Sequence, residues 1–296
     1  MPFSPDHLDV PDGFDVEYAD ATEQWPTSAD GCEFYVPSYR FTPQVFEVMA
    51  QMPALSVVQL LTAGYEHVLP HLPDGVTLCN GAGIHDAATS ELAVGLMISA
   101  QRRLAELARL QAEHRWDQQM SSSLADRRVL VIGAGNIGRA LQRRLVGFEC
   151  DVTLVARTAR EGIRAFGELP DLLPYAEIVV LIVPLTDDTR SLVDAQFLAR
   201  LPDDALVVNV ARGAVVVTDD LLAEVSTGRL RAALDVTEPE PLPDDHPLWT
   251  APGVIITPHV GGAATSMWPR ARRLVGDQIH RLAAGQPLRH VVVPGR

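Results

Sequence analysis

Residues 129–141 read VLVIGAGNIGRAL: an apolar run, then Gly133, Gly135 and Gly138 in G-x-G-x-x-G spacing, then an amphipathic continuation. A glycine-rich turn placed after a strand and opening a helix is the setting of a dinucleotide-binding loop. The first glycine permits the tight turn. The second lets backbone approach a pyrophosphate, and the third lets helix and strand pack closely. The N–H groups of Asn136 and Ile137 would then point at the phosphates from the helix N-terminus.

The next apolar run, DVTLVA (151–156), carries a second message. A fold that prefers NAD ends this strand in Asp or Glu, which holds the ribose 2′-hydroxyl. Here Ala156 stands there, followed by Arg157, Thr158 and Arg160. No carboxylate repels a 2′-phosphate and two guanidiniums can receive one, so the pattern favours NADP, with NAD possible. The alternative is that both arginines are ordinary surface residues.

Outward from this loop, short apolar segments alternate with amphipathic ones, the α/β pattern of parallel sheets covered by helices. Expected strands before the loop are FDVEY (14–18), CEFYV (32–36), LSVVQLL (55–61) and VTLCN (76–80). After it come IVVLIV (178–183), ALVVNV (205–210), RAALDV (231–236), VIIT (254–257) and a terminal VVV (291–293). One long helix is expected from about Ser90 to Trp116, with capping-type residues at Thr89–Glu91 and Leu92, Leu96, Leu104, Leu107 and Leu110 spaced for packing. The expected architecture is two Rossmann-like, doubly wound domains with a cleft between them.

Composition narrows the function. The chain has 296 residues and a formal net charge of −14, the opposite of what phosphate-neutralising nucleic-acid binders carry. Residues 1–100 hold fourteen acids and one base, Arg40, so anion-binding charge must come mostly from the remainder. There is no lysine, which excludes a Walker-type phosphate lysine and a Schiff base. Cys32, Cys79 and Cys150 form no CxxC and read as reduced thiols of a cytoplasmic protein. No secretory signal, membrane span or metal-ligand cluster is expected.

Three polar residues follow apolar runs in order: Arg212 in VVNVARGAVV, Glu240 in ALDVTEPEPLP and His259 in VIITPHVGG. A 2-oxo acid presents a carboxylate beside a carbonyl that gains negative charge as hydride adds. An arginine fork suits the carboxylate and polarises the carbonyl. An imidazole titrates near neutrality and can give the proton. A carboxylate can orient that imidazole. Taken singly, each has an ordinary rival: a surface ion pair for Arg212, an exposed loop acid for Glu240, a packing histidine for His259.

These segments together resemble the D-isomer-specific 2-hydroxyacid dehydrogenases. LLTAGYEHV (60–68), DAATSELAVGLMISAQRRL (86–104) and LAAGQPLRHVV (282–292) extend the resemblance over nearly the whole chain. It implies a discontinuous, flavodoxin-like substrate domain over residues 1–91 and 270–296, an NAD(P)-binding domain over residues 92–269, and a hydride transfer between NAD(P)H and a small 2-oxo acid such as glyoxylate or hydroxypyruvate, by a homodimer. It gives Arg212, Glu240 and His259 the roles above. It also implies Asp235 as partner of the nicotinamide carboxamide, the N–H groups of Ala63 and Gly64 as substrate carboxylate donors, and Pro184 and Thr189 as cofactor lining. Asp235 could instead be a buried cap. Tyr39, Arg40, Met267 and Trp268 are candidate pocket residues. The chain departs from the family at Leu124-Ala125-Asp126-Arg127, where Leu-x-Gly-Lys is usual. A different class of function, a dinucleotide-sensing corepressor on the same fold, is the rival reading.

Overall fold

The computed structural model describes residues 8–18, 29–39 and 43–295, so Arg40 lies outside the described residues. The chain lays down β1 (Phe34–Tyr35), α1 (Pro43–Glu47), β2 (Val57–Gln59) and β3 (Thr77–Cys79), then α2 (Asp86–Gln101) and α3 (Leu104–Ala112). It continues through β4 (Arg128–Ile132), α4 (Asn136–Val146), β5 (Asp151–Ala156), β6 (Ile163–Ala165), α5 (Leu169–Leu172) and β7 (Ile178–Leu181). Next come α6 (Ala195–Leu198), β8 (Leu206–Asn209), α7 (Thr218–Ser226), β9 (Arg231–Leu234) and β10 (Val254–Ile256). It ends with α8 (Met267–Ala283) and β11 (Val291–Val293).

Two compact units result. One joins residues 1–85 to 265–296, and the other is the contiguous stretch 86–264. The boundaries expected from the sequence are 91/92 and 269/270. The structure starts the second unit with the first residue of α2.

The contiguous unit carries a seven-stranded sheet in the order β10-β9-β8-β7-β4-β5-β6, parallel throughout. Strand order reverses between β4 and β7, and ligands of such sheets bind at the carboxyl ends of the strands flanking that point. The reason for a two-faced sheet is visible along β4. Leu130 and Ile132 enter one apolar cluster, and Val129 and Val131 enter the other. β7 divides the same way, with Val179 and Leu181 on one face and Ile178 and Val180 on the other. Strands buried on both faces need continuous apolar runs rather than alternation. β6 has only three residues, Ile163-Arg164-Ala165, at the sheet edge, too short for the sequence pattern to show it.

The discontinuous unit holds β1, β2 and β3 in parallel, with β11 antiparallel beside β3. From α8, Met267, Ala271, Val275 and Ile279 pack with Val36, Leu61 and Ile84. Inside it the buried Gln278 amide donates to Gln59 Oε1 at 2.7 Å and to the Arg289 carbonyl at 2.9 Å. Met267 is therefore core rather than a pocket residue, while Trp268 is exposed.

Two expectations are corrected. FDVEY (14–18) forms no strand: Asp15 and Glu17 are exposed, and Phe14 packs against the apolar cluster around α8. The single helix over 90–116 is two helices. α2 begins at Asp86, where the Ser90 hydroxyl bonds back to the Asp86 carbonyl instead of capping a new start. Arg103 then turns left-handed at φ 56°, and its guanidinium grips Glu106 and Gln119. That break turns Leu104 and Leu107 outward, although Leu96 and Leu110 are buried as their spacing suggests.

Among the described residues no helix is long and apolar enough to cross a membrane. All three cysteines are free, and burial pushes the Cys79 thiol up to about 11, which keeps it unreactive.

Candidate active site

The three glycines of the loop have three different surroundings. Gly133 has φ +120°, and a Cβ there would lie 2.0 Å from the Ile182 carbonyl oxygen. The turn therefore passes tightly against the end of β7. Gly138 is packed the same way, its Cβ position 1.9 Å from the Gly133 oxygen. Gly135 has open space around it and is the N-cap of α4, with no side chain capping the helix. Uncapped N–H groups beside an open, Cβ-free position are what a pyrophosphate requires, so the residues present fit a dinucleotide.

Around this turn, Arg157 and Thr158 follow β5 and are exposed. Arg157 pairs with Asp188 at 3.1 Å, and Arg160 donates to the Ala134 carbonyl at 3.1 Å. In the loop after β7, Pro184 is exposed and its carbonyl accepts the Thr189 hydroxyl at 2.6 Å. Thr189 is buried, and its hydroxyl also accepts from the Thr186 N–H at 2.8 Å. Its hydroxyl is thus engaged within the loop.

Arg212 follows β8, where the buried Asn209 sets its backbone. The Asn209 amide donates to the Arg212 carbonyl at 3.0 Å and accepts from the Ala211 N–H at 3.0 Å. Asn209 was missed in the sequence; a polar residue ending an otherwise apolar strand is the signal that could have found it. The Arg212 guanidinium donates to the Ala211 carbonyl at 2.7 Å, and no hydrogen bond or ion pair joins it to Glu240 or His259. The next residue couples the loops. A Cβ on Gly213 would fall 1.9 Å from the Thr237 carbonyl oxygen, so the Arg212 turn lies directly on the backbone leading to Glu240.

Glu240 and His259 do meet. His259 Nδ1 and Glu240 Oε1 are 2.5 Å apart, both side chains partly open to solvent. His259 Nε2 has no hydrogen-bond partner among the described residues. The histidine sits at φ 52°, a left-handed backbone, with its N–H on the Asp235 carbonyl at 2.8 Å. The Asp235 carboxylate holds the rest of that loop. Oδ1 accepts from the Thr257 hydroxyl at 2.6 Å and the Val260 N–H at 2.9 Å, and Oδ2 accepts from the Gly261 N–H at 2.8 Å. Three donors converge on one buried carboxylate, which explains how a strained backbone is maintained at His259.

An amide at position 235 would turn one of those acceptors into a donor facing a donor. Asp235→Asn is expected to destabilise the unit by about 1–3 kcal/mol and to lower turnover, measured by urea denaturation and initial rates. Wild-type values for both would show that the carboxylate does not hold the loop.

The site thus combines a glycine turn at the sheet's reversal point with a paired carboxylate and imidazole beyond β9 and β10 on the same sheet. The sequence profile of the D-isomer specific 2-hydroxyacid dehydrogenase, NAD binding domain, matches residues 94–261.

The chain belongs to the D-isomer specific 2-hydroxyacid dehydrogenase family.

Glyoxylate/hydroxypyruvate reductase A of Photorhabdus laumondii is 31% identical, over 81% of this chain and 81% of that protein. The glyoxylate reductase of Thermofilum pendens is 29% identical, over 81% of this chain and 75% of that protein. Among solved structures, the NADPH-dependent glyoxylate/hydroxypyruvate reductase of Sinorhizobium meliloti, in complex with NADP and sulfate, superposes with TM-score 0.82. It is 29% identical, covering 98% of this chain and 95% of that one. A family member from Xanthobacter autotrophicus in complex with NADPH and MES superposes with TM-score 0.80 at 31% identity, covering 96% and 91%. The dehydrogenase is thus an NAD(P)-dependent oxidoreductase, and the corepressor reading is not favoured.

In this dehydrogenase the usual family lysine before the glycine strand is Arg127, and it pairs with Glu177 at 2.5 Å. Burial opposes ionisation of Glu177. The Arg128 N–H and the two guanidiniums outweigh it and hold that carboxyl below its usual range. The departure therefore supplies an ion pair between β4 and β7 rather than a functional group of the site. In the discontinuous unit, the Ala63 and Gly64 carbonyls accept from Asn80 Nδ2 at 2.8 Å and the Thr62 hydroxyl at 2.7 Å. Their N–H groups donate to no described residue. His85, another histidine near this loop, is buried with Nε2 on the Leu61 carbonyl at 2.8 Å.

Proposed function

We propose that this dehydrogenase reduces a small 2-oxo acid, of glyoxylate or hydroxypyruvate size, to the D-2-hydroxy acid, with NADPH preferred and NADH possible. The observation that carries the reading is the Glu240–His259 pair, which leaves the other ring nitrogen of His259 open. Bound nicotinamide supplies the hydride. Arg212 clamps the substrate carboxylate and polarises the carbonyl, with the N–H groups of Ala63 and Gly64 as further donors to the carboxylate. His259 gives its proton to the carbonyl oxygen as hydride adds to carbon, so that the product leaves as a neutral alcohol group. Glu240 holds the imidazole through Nδ1. Asp235, with acceptor capacity left on Oδ2, also takes the nicotinamide carboxamide. Gly133, Gly135, Asn136, Ile137 and Gly138 cradle the pyrophosphate. Pro184 and Thr189 shape the loop against it, and Arg157, Thr158 and Arg160 receive the 2′-phosphate.

The names of the relatives support the substrate class, and the bound NADP and NADPH of the solved neighbours support the cofactor. The test is the loss of NADPH absorbance with glyoxylate, hydroxypyruvate and pyruvate as acceptors, with NADH in parallel. Turnover of none of these while NADPH still binds would overturn the enzyme assignment. Arg157→Ala is expected to weaken NADPH binding about tenfold and leave NADH within about twofold, as for a lost charge-assisted contact. Equal loss for both cofactors would remove the phosphate role.

The reading includes a cytoplasmic homodimer formed through the cofactor-binding unit. The homodimer is supported by the apolar surface of α3 and the segment after it, where Leu104 and Leu107 are exposed and Trp116 and Met120 are 94% and 97% exposed. Light scattering of the wild type and of Trp116→Ser tests it, with a dimer expected for the first and a shift toward monomer for the second.

A further inference from the structure

Ala156 leaves the end of β5 without a carboxylate, but the fold brings one there from the loop after another strand. Asp188, in the loop after β7, pairs with Arg157 Nη2 at 3.1 Å. This loop is braced. Thr189 donates to the Pro184 carbonyl at 2.6 Å, the Thr189 N–H donates to the Thr186 carbonyl at 3.0 Å, and the Arg190 N–H to the same carbonyl at 2.8 Å. Its start is fixed beside the glycine turn by the close approach of Gly133 to Ile182. The two arginines after β5 therefore differ. Arg160 is tied to a neutral carbonyl of the glycine turn and takes part in no ion pair among the described residues. Arg157 is matched by a counter-ion before any phosphate arrives.

We propose that Asp188 is a cofactor-selectivity residue: as counter-ion of Arg157, it weakens the site for the 2′-phosphate of NADP(H) and keeps the NADPH-over-NADH preference below what the two arginines alone would give. The proposal rests on the assignment of Arg157 to the ribose 2′ position. A phosphate monoester carries nearly two negative charges, so a carboxylate already on the receiving guanidinium both competes with it and repels it. The 2′-hydroxyl of NAD(H) is neutral and feels no such opposition, and a carboxylate oxygen is an acceptor for it. Both Asp188 and Arg157 are well exposed, so solvent moderates the effect and salt screens it.

Titration of tryptophan fluorescence with NADPH and with NADH, on the full chain at low salt, gives the dissociation constants that test this. Asp188→Asn is expected to tighten NADPH about three- to tenfold and to leave NADH unchanged or slightly weaker. The gain should shrink in roughly 0.5 M salt. In an Arg157→Ala background the same substitution should change NADPH by less than about twofold, because the coupled partner is gone. Asp187→Asn removes the same charge from the same exposed loop without the Arg157 contact, and should give a clearly smaller gain than Asp188→Asn. Unchanged or weaker NADPH binding in Asp188→Asn, or an equal gain in Asp187→Asn, overturns the proposal. If Arg157→Ala weakens NADPH while Asp188→Asn does not alter it, only the role of Asp188 falls. If Arg157→Ala leaves NADPH intact, the assignment of Arg157 falls and the proposal with it.

Discussion

His259→Gln is expected to lower turnover of the 2-oxo acid by about 10²–10⁴-fold while the NADPH dissociation constant stays within about twofold. Glutamine can keep a hydrogen bond to Glu240, so the loop geometry is largely preserved. What it lacks is a proton to release, and the charge that develops on the carbonyl oxygen must then be met by water or by Arg212 alone. Stopped-flow reduction with saturating NADPH separates this loss from binding. A variant that turns over at more than about a tenth of the wild-type rate would place the proton donor elsewhere. Glu240→Gln should fall between the two, since the imidazole keeps its chemistry and loses only its charged partner at Nδ1.

The second large effect comes from a residue with no side chain. Gly213→Ala places a methyl group 1.9 Å from the Thr237 carbonyl oxygen and 2.7 Å from the Glu238 nitrogen. Both are backbone atoms, so no rotamer change relieves the overlap. The Arg212 turn must move away from the segment that carries Glu240. A displacement near 1 Å in a hydride-transfer site costs on the order of 10²-fold, and that loss is expected in kcat/KM. The glycine turn lies on other strands, so NADPH affinity should hold within about threefold if the unit stays folded, with circular dichroism as the check. Wild-type kcat/KM in Gly213→Ala would show that the two loops tolerate relative movement, and the geometric coupling of Arg212 to Glu240 would be lost as an explanation.

Much of the parallel sheet was legible because strands buried on both faces must be continuously apolar, as IVVLIV is and as ALVV is up to Asn209. The glycine turn was legible because Gly133 and Gly138 meet steric requirements that only glycine satisfies, and Gly135 leaves open backbone between them. The break at Arg103 was not. Arginine is a good helix former, and nothing local announces a left-handed residue whose guanidinium is held by Glu106 and Gln119. β6 was missed for a similar reason, since an edge strand of three residues carries too little pattern. In the site, residue types gave Arg212, Glu240 and His259, and the structure brings Glu240 and His259 into contact. Asn209 escaped, and Asp235 was legible as a cofactor partner or buried cap without its hold on the His259 loop, because these roles depend on tertiary neighbours. Asn209 acts on backbone three residues away, and Asp235 reaches across from β9 to the loop after β10.

The discontinuous unit has one more consequence, which concerns order in time. Its parallel strands come from the first part of the chain, but the helix that covers Val36, Leu61 and Ile84 and the strand beside β3 come from the last part. A ribosome delivers these pieces with the whole contiguous unit between them. The nucleotide-binding sheet can therefore close while the other sheet still waits, half-covered, for α8 and β11 to emerge.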